Sequence, residues 1–210
     1  GMLTGLALIA AAAAGIFRLI PGLLLINLVG AAILSMPIYE KHPKIIALVS
    51  TQVQGLVYIP LSLATILLLR DGSDGIIWVF FLLFIVFSGD VGAFYVGRFF
   101  GRHKLCPAIS PGKTVEGAVG SLLTSMIVGF VFYLLFLPQL NPLAVAVLLA
   151  CVNPAGQAGD LFESQLKRSA GIKDSGNILP GHGGMLDRID ALLFAAPVAW
   201  VFKTFLMTGF

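Results

Sequence analysis

The chain has 210 residues, 58% of them hydrophobic and 11% charged, with a mean hydropathy of +0.99. A soluble domain carries roughly 25% charged residues, so a water-soluble globular protein is excluded and a polytopic integral membrane protein is expected. The net charge is only +3, so no nucleic-acid partner is expected and the placing of charge along the chain matters more than its sum.

A membrane-spanning helix needs about 20 mostly apolar residues. Seven stretches qualify, near 3–20, 22–39, 44–69, 75–99, 114–137, 142–166 and 186–208. Breaker signals separate them: Pro21-Gly22, EKHPK at 40–44, RDGSDG at 70–75 and PQLNP at 138–142. The expected fold is all-α, about seven transmembrane helices in a single membrane domain over 1–210. Its N-terminal helices cover 2–74 and its catalytic core 75–210, with a polar cavity opening to the cytoplasmic face. Cys106 and Cys151 fall in a polar loop and in mid-span, and both are expected to be free thiols.

Lys and Arg set the orientation. The loops at 40–44, 100–113 and 167–185, with their flanking turns, hold ten of the thirteen. Alternation puts these three loops on one side, so they are expected in the cytoplasm, with the N-terminus inside and the C-terminus outside.

Residues 159–190 hold five of the ten acidic residues and four of the thirteen basic ones, between apolar segments. Asp160, Glu163 and Lys167 stand at i, i+3 and i+7, one face of a helix. Asp187 and Asp190 repeat the i, i+3 spacing at the start of the last helix. A lone intramembrane Asp costs roughly 2.5–3.5 kcal/mol on the gentlest scale, so four would approach about 10 kcal/mol. A cation must meet them. Carboxylate oxygens suit Mg²⁺ or Mn²⁺, with substrate phosphates completing the shell and room for a second cation. The alternative is an interhelical salt-bridge cluster without a metal. The loop between the helices is built as a phosphate cradle, its glycines (171, 176, 181, 183, 184) freeing backbone N–H groups for an anion. Lys167, Arg168, Lys173 and Arg188 supply positive charge. His182 is a phosphate ligand, a proton donor or an ordinary loop histidine, and Asp174 beside Lys173 is a second polar candidate or a solvated pair.

A second polar stretch runs over 88–117. It holds Asp90 inside the fourth span and Ser110-Pro111-Gly112-Lys113-Thr114 at the opening of the fifth, with Glu116 in its first turn. The latter is a weak phosphate signal, not a P-loop, because the G-x-x-x-x-G-K-[ST] spacing is absent. A capped helix start with a snorkelling lysine reads equally well.

The run Ser164-x-x-Lys167-Arg168, four residues, Lys173-Asp174-x-Gly176-x-x-Leu179-Pro180-x-His182-Gly183-Gly184-x-x-Asp187-Arg188-x-Asp190 resembles, position for position, the signature of phosphatidate cytidylyltransferases (CDP-diacylglycerol synthases). The resemblance extends through Gly159-Asp160-Leu161, Ser110-Pro111-x-Lys113-Thr114-x-Glu116-Gly117, and Asp90 with Tyr95, Gly97 and Arg98. Val91 departs from the Thr or Ser that often follows the aspartate.

The resemblance implies the reaction of CTP with phosphatidic acid to give CDP-diacylglycerol and pyrophosphate. It also implies a bacterial inner-membrane location, an active site on the cytoplasmic side and a homodimer. On that reading Asp160, Asp187 and Asp190, with Glu163, hold Mg²⁺. Lys167, Arg168, Lys173 and Arg188 clamp phosphates. Ser110, Lys113 and Thr114 hold CTP or the lipid headgroup, with Glu116 orienting them. Asp90, Ser164, Asp174, His182, Gly183 and Gly184 bind or orient substrate. The rivals are a CTP-dependent enzyme acting on another lipid (an isoprenoid-ether lipid cytidylyltransferase or a polyprenol kinase) and, further off, a transporter.

Overall fold

A glycine ends the first helix early. Helix α1 (Met2–Ala13) stops where Gly15 turns to φ +71°, with Gly15 N–H donating to the Ala12 carbonyl and Ile16 N–H to that of Ala11. This paired closure needs a left-handed residue, which glycine supplies at no steric cost. Twelve residues rise about 18 Å, well short of the ~30 Å hydrocarbon core. The seven expected spans therefore become six helices long and apolar enough to cross a membrane, plus one short apolar helix, among the described residues.

The computed structural model describes residues 1–176 and 183–206. The chain forms two compact units, Gly1–Ser73 and Asp74–Phe210.

In the first unit, α1 is followed by α2 (Leu19–Tyr39), α3 (Ile45–Leu56) and α4 (Ser62–Asp71). A wide π-helical turn, Val57–Leu61, joins α3 to α4. Pro60 has no N–H for the helical ladder, and the helix widens around it. Leu8, Ala12, Ile20, Leu56 and Ala64 form the buried cluster. Three polar side chains bond across it: Asn27 Nδ2 donates to Thr4 Oγ1 (2.9 Å), and Gln52 Nε2 to Asn27 Oδ1 (3.0 Å). In hydrocarbon such amide bonds act as interhelical glue.

The second unit contains α5 (Gly75–Phe100), a hairpin, α6 (Val115–Phe136), α7 (Pro142–Ser169) and α8 (Leu186–Val201), with a further helical turn at Phe202–Leu206. Its core runs through Trp78, Phe81, Ile85, Leu148, Val152 and Leu193, all buried, and Phe81 stacks on Phe132 at 5.3 Å. The large apolar residues left exposed on every helix but α4 are what a lipid-facing surface requires.

Helices α5 and α6 pack with their backbones almost touching. A Cβ built on Gly117 would stand 2.9 Å from the Ala93 carbonyl oxygen. That oxygen belongs to the backbone and cannot swing aside. Gly117→Ala is expected to cost about 1–3 kcal/mol through overpacking and to lower the thermal-unfolding midpoint in detergent. An unchanged midpoint would mean that the two helices are free to separate.

The polar loop expected at 100–113 contains a small antiparallel hairpin, β1 (Lys104–Cys106) and β2 (Ser110–Thr114), pairing Lys104 with Thr114 and Cys106 with Ser110. Neither strand has the alternation or β-branched content that signals a strand. A carboxylate holds the hairpin in place: Glu116 accepts from the backbone N–H groups of Arg102 (3.1 Å) and His103 (3.2 Å), and lies 2.6 Å from His103 Nδ1.

Candidate active site

The polar residues of three helices converge on one cleft of about 310 Å³ in the second unit. Helix α5 contributes Asp90, Ala93, Phe94, Gly97 and Arg98, an i, i+3, i+4, i+7, i+8 stripe that puts all five on one face. Thr114, Gly117, Ala118 and Ser121 repeat the stripe at the start of α6, and α7 adds Gln157 and Asp160. The hairpin closes the cleft with Leu105, Gly112 and Lys113. Thr114 also caps α6, its Oγ1 accepting from Gly117 N–H at 3.1 Å. The capped helix start and the cleft wall are thus the same residue.

Among the described residues one ion pair crosses the cleft. Lys113 Nζ lies 2.6 Å from Asp160 Oδ2, joining the hairpin to α7. Asp90, Asp160 and Asp190 stand near enough to repel one another electrostatically. Asp190 arrives from α8, with one carboxylate oxygen accepting from the Ala191 N–H at 2.7 Å. Arg98 lies over the Phe94 ring, 5.9 Å from its centroid, and brings a second cation to the cleft wall.

The second centre lies further along α7. Lys167 Nζ is 2.5 Å from Glu163 Oε2 and 2.6 Å from Asp187 Oδ1, so one ammonium joins α7 to α8. Glu163 is 1% exposed, and a carboxylate so deeply buried requires such a partner. The other Asp187 oxygen gathers the loop: it accepts from Ser175 N–H (2.9 Å), Ser175 Oγ (2.8 Å) and Gly184 N–H (2.7 Å). Asp187 thereby ties the two described ends of the glycine-rich loop together at the start of α8. Gly171 begins that loop at φ +69°, with the same paired closure that ends α1.

Asp160, Glu163 and Lys167 share a face of α7 as their spacing requires, but that face meets two partners, Lys113 from the hairpin and Asp187 from α8. Among the described residues no three His, Cys, Asp or Glu side chains are arranged to hold a metal ion. Arg168 reaches from the end of α7 to the hairpin turn, Nε donating to the Ile109 carbonyl at 3.4 Å. Lys173, Asp174 and Arg188 are exposed, Ser164 is half-buried, and Gly183 and Gly184 lie beside Asp187. His182 lies outside the described residues. Ser110 is in β2, paired with Cys106, and Glu116 holds the hairpin. Glu116→Ala is therefore expected to release the hairpin, read as faster proteolysis between 100 and 114. Unchanged cleavage would show that the strands hold themselves.

Two polar cleft residues, Gln157 and Ser121, carry no charge signal in the sequence. They are neutral, and their signal is positional: Gln157 precedes Asp160 by three residues and follows Asn153 by four, a polar row on an apolar helix.

Helices of spanning length, an acidic and basic cleft at one end of them and a glycine-rich loop held beside it define an integral membrane protein with a charged site built between its helices. The chain belongs to the cytidylyltransferase family, whose sequence profile matches residues 1–206. A phosphatidate cytidylyltransferase of Staphylococcus haemolyticus (strain JCSC1435) is 44% identical over 126 residues, 60% of this chain and 48% of that protein. One from Bacillus subtilis (strain 168) is 43% identical over 123 residues, 59% of this chain and 46% of the relative. The uncharacterized protein YnbB of Escherichia coli (strain K12) is 44% identical over 130 residues, 62% and 43% of the two chains. The chain spans about half the length of the curated relatives it matches.

Proposed function

We propose that this chain carries the site that transfers the cytidylyl group of CTP to phosphatidic acid, giving CDP-diacylglycerol and pyrophosphate. The observation that carries the reading is the convergence of Lys113, Arg98 and Asp160 on one cleft of a membrane-spanning unit, in a chain of the cytidylyltransferase family. One substrate is a soluble polyanion and the other a lipid whose phosphate sits at the membrane surface. A cleft between helices, at the end where the basic hairpin lies, is reachable from both phases.

In the reaction a phosphate oxygen of the lipid attacks the α-phosphorus of CTP. A new P–O bond forms, the bond from the α-phosphorus to the bridging oxygen breaks, and that oxygen leaves on pyrophosphate. The nucleophile is already an anion, so no strong general base is needed. Catalysis then rests on holding the two phosphates in line and on neutralising their charge. Lys113 and Arg98 face the cleft and would offset charge on the nucleotide. Lys167, braced by Glu163 and Asp187, would keep the glycine-rich loop folded, so that its N–H groups and Arg168, Lys173 and Arg188 meet phosphate oxygens.

No three of the described carboxylates are arranged around one metal position, so a divalent cation here would rest largely on substrate phosphates and water. Asp160 and Asp187 each already hold a positive charge, a lysine ammonium at 2.6 Å. Mg²⁺ commonly takes only one or two carboxylates besides waters and phosphates. Asp160, Asp187 and Asp190 are the residues from which those one or two carboxylates would come, and Mg²⁺ or Mn²⁺ would supply Lewis-acid stabilisation of the phosphates when bound. The Lys and Arg bias supports a cytoplasmic location for the cleft, and the family resemblance supports a homodimer in a bacterial inner membrane.

The test is to incubate the purified protein with phosphatidic acid, a panel of other lipid acceptors and CTP labelled at either end. Label from the α-phosphate appearing in phosphatidic acid is the expected result. Label from the γ-phosphate in a polyprenol, or α-label only in an isoprenoid-ether lipid, would replace the proposed reaction with a different one.

A further inference from the structure

The inner wall of the cleft carries a hydrogen-bond network whose polarity is locked. Asn153 Nδ2 donates to Ser121 Oγ (3.0 Å) and to the Ser121 carbonyl (3.4 Å), which leaves Asn153 Oδ1 as an acceptor. Gln157 Nε2 fills it at 2.6 Å and donates its second hydrogen to the Ala118 carbonyl at 3.1 Å. Backbone carbonyls only accept, so neither amide can turn over without setting acceptor against acceptor. Both N–H hydrogens of Gln157 are spent. Its Oε1, with no hydrogen bond among the described residues, is what Gln157 offers to the cleft it lines. The network is close-fitted: a Cβ on Gly89, next to Asp90, would stand 2.9 Å from Ser121 Oγ and 2.5 Å from Asn153 Nδ2.

We infer that Gln157 selects the nucleotide base, its Oε1 accepting a hydrogen bond from the exocyclic amino group of cytosine. The inference rests on CTP being the substrate. A cleft of about 310 Å³ is at the small end of ligand sites and suits a pyrimidine nucleoside with its phosphates directed toward Lys113. A fixed acceptor discriminates only against a group of fixed polarity. The amino group of cytosine is a donor, whereas uracil presents a carbonyl oxygen at the same position, which would face Oε1 lone pair to lone pair. A ribose hydroxyl rotates to donate or accept, so a locked amide would gain nothing against it. A site built to bond a substrate N–H rejects the analogue that lacks it, because its buried polar group is left unpaired.

Binding of CTP, UTP and dCTP to the detergent-solubilised protein, without lipid, tests this independently of catalysis. Wild type is expected to prefer CTP over UTP. Gln157→Leu is expected to reduce that preference by about 10–100-fold, the range of a lost bond to a buried polar group, while leaving the ratio of CTP to dCTP unchanged. Gln157→Met, nearer in volume, serves if the leucine variant loses its thermal transition. An unchanged CTP-to-UTP ratio in a folded variant would overturn the inference, as would a change confined to the CTP-to-dCTP ratio, which would assign Oε1 to the ribose. If wild type binds CTP selectively through Gln157 but moves no α-label into phosphatidic acid, the base-reading stands and the proposed reaction fails.

Discussion

Lys167→Met is expected to destabilise the protein by about 3–5 kcal/mol, the usual consequence of removing one partner from a buried ion pair, and to abolish CDP-diacylglycerol formation. The side chain is 16% exposed and lies between Glu163, 1% exposed, and Asp187, 10% exposed. Without the ammonium, Glu163 is left as a buried carboxylate with no cation. Asp187 keeps its bonds to Ser175 and Gly184 but loses its tie to α7. Thermal unfolding in detergent measures the first effect and proteolysis within 170–185 the second. Adding Glu163→Gln to the variant is expected to restore part of the stability without restoring activity, because the amide removes the buried charge but not the need for the lysine. A stable, active Lys167→Met protein would mean that this ammonium neither joins the helices nor shapes the loop.

Asp160→Asn is expected to behave in the opposite way, with activity lost and stability kept. The carboxylate is 36% exposed and lies in the cleft against Lys113, so its substitution is expected to change stability by no more than about 1 kcal/mol, the upper worth of a solvent-screened ion pair. CDP-diacylglycerol formation is expected to fall by about 10²–10³-fold, the size of the loss when one preorganised charge or donor is removed from a reaction centre. Near-native turnover would remove Asp160 from the proposed chemistry and leave it as an ion-pair partner for the hairpin.

Spacing made the shared face of α7 legible. Asp160, Glu163 and Lys167 share a face because 3.6-residue periodicity requires it. The cost of charge in hydrocarbon marks Asp90 and Asp160 as residues needing partners. The partners themselves were not legible. Lys113 reads in the sequence as a phosphate-binding residue, and its contact with Asp160 at 2.6 Å comes from the hairpin. That hairpin has no strand signal of its own, since it depends on the Glu116 carboxylate and on Arg168 reaching the Ile109 carbonyl. The first helix reads as a span in the sequence because its apolar run continues past residue 15. One left-handed glycine ends it, and hydropathy does not register a backbone angle. Gln157 gives no signal of its own in the sequence, because a neutral amide carries no charge anomaly. Its significance comes from the direction of its hydrogen bonds, which depends on backbone carbonyls of another helix.

A structure of the protein with CTP and Mg²⁺ bound tests the cleft directly. The base is expected against Gln157, the phosphates running toward Lys113, and the cation on Asp160 with a neighbouring carboxylate of α8. A nucleotide bound outside the cleft formed by α5, α6 and α7, with the Lys113–Asp160 pair intact, would contradict this placement.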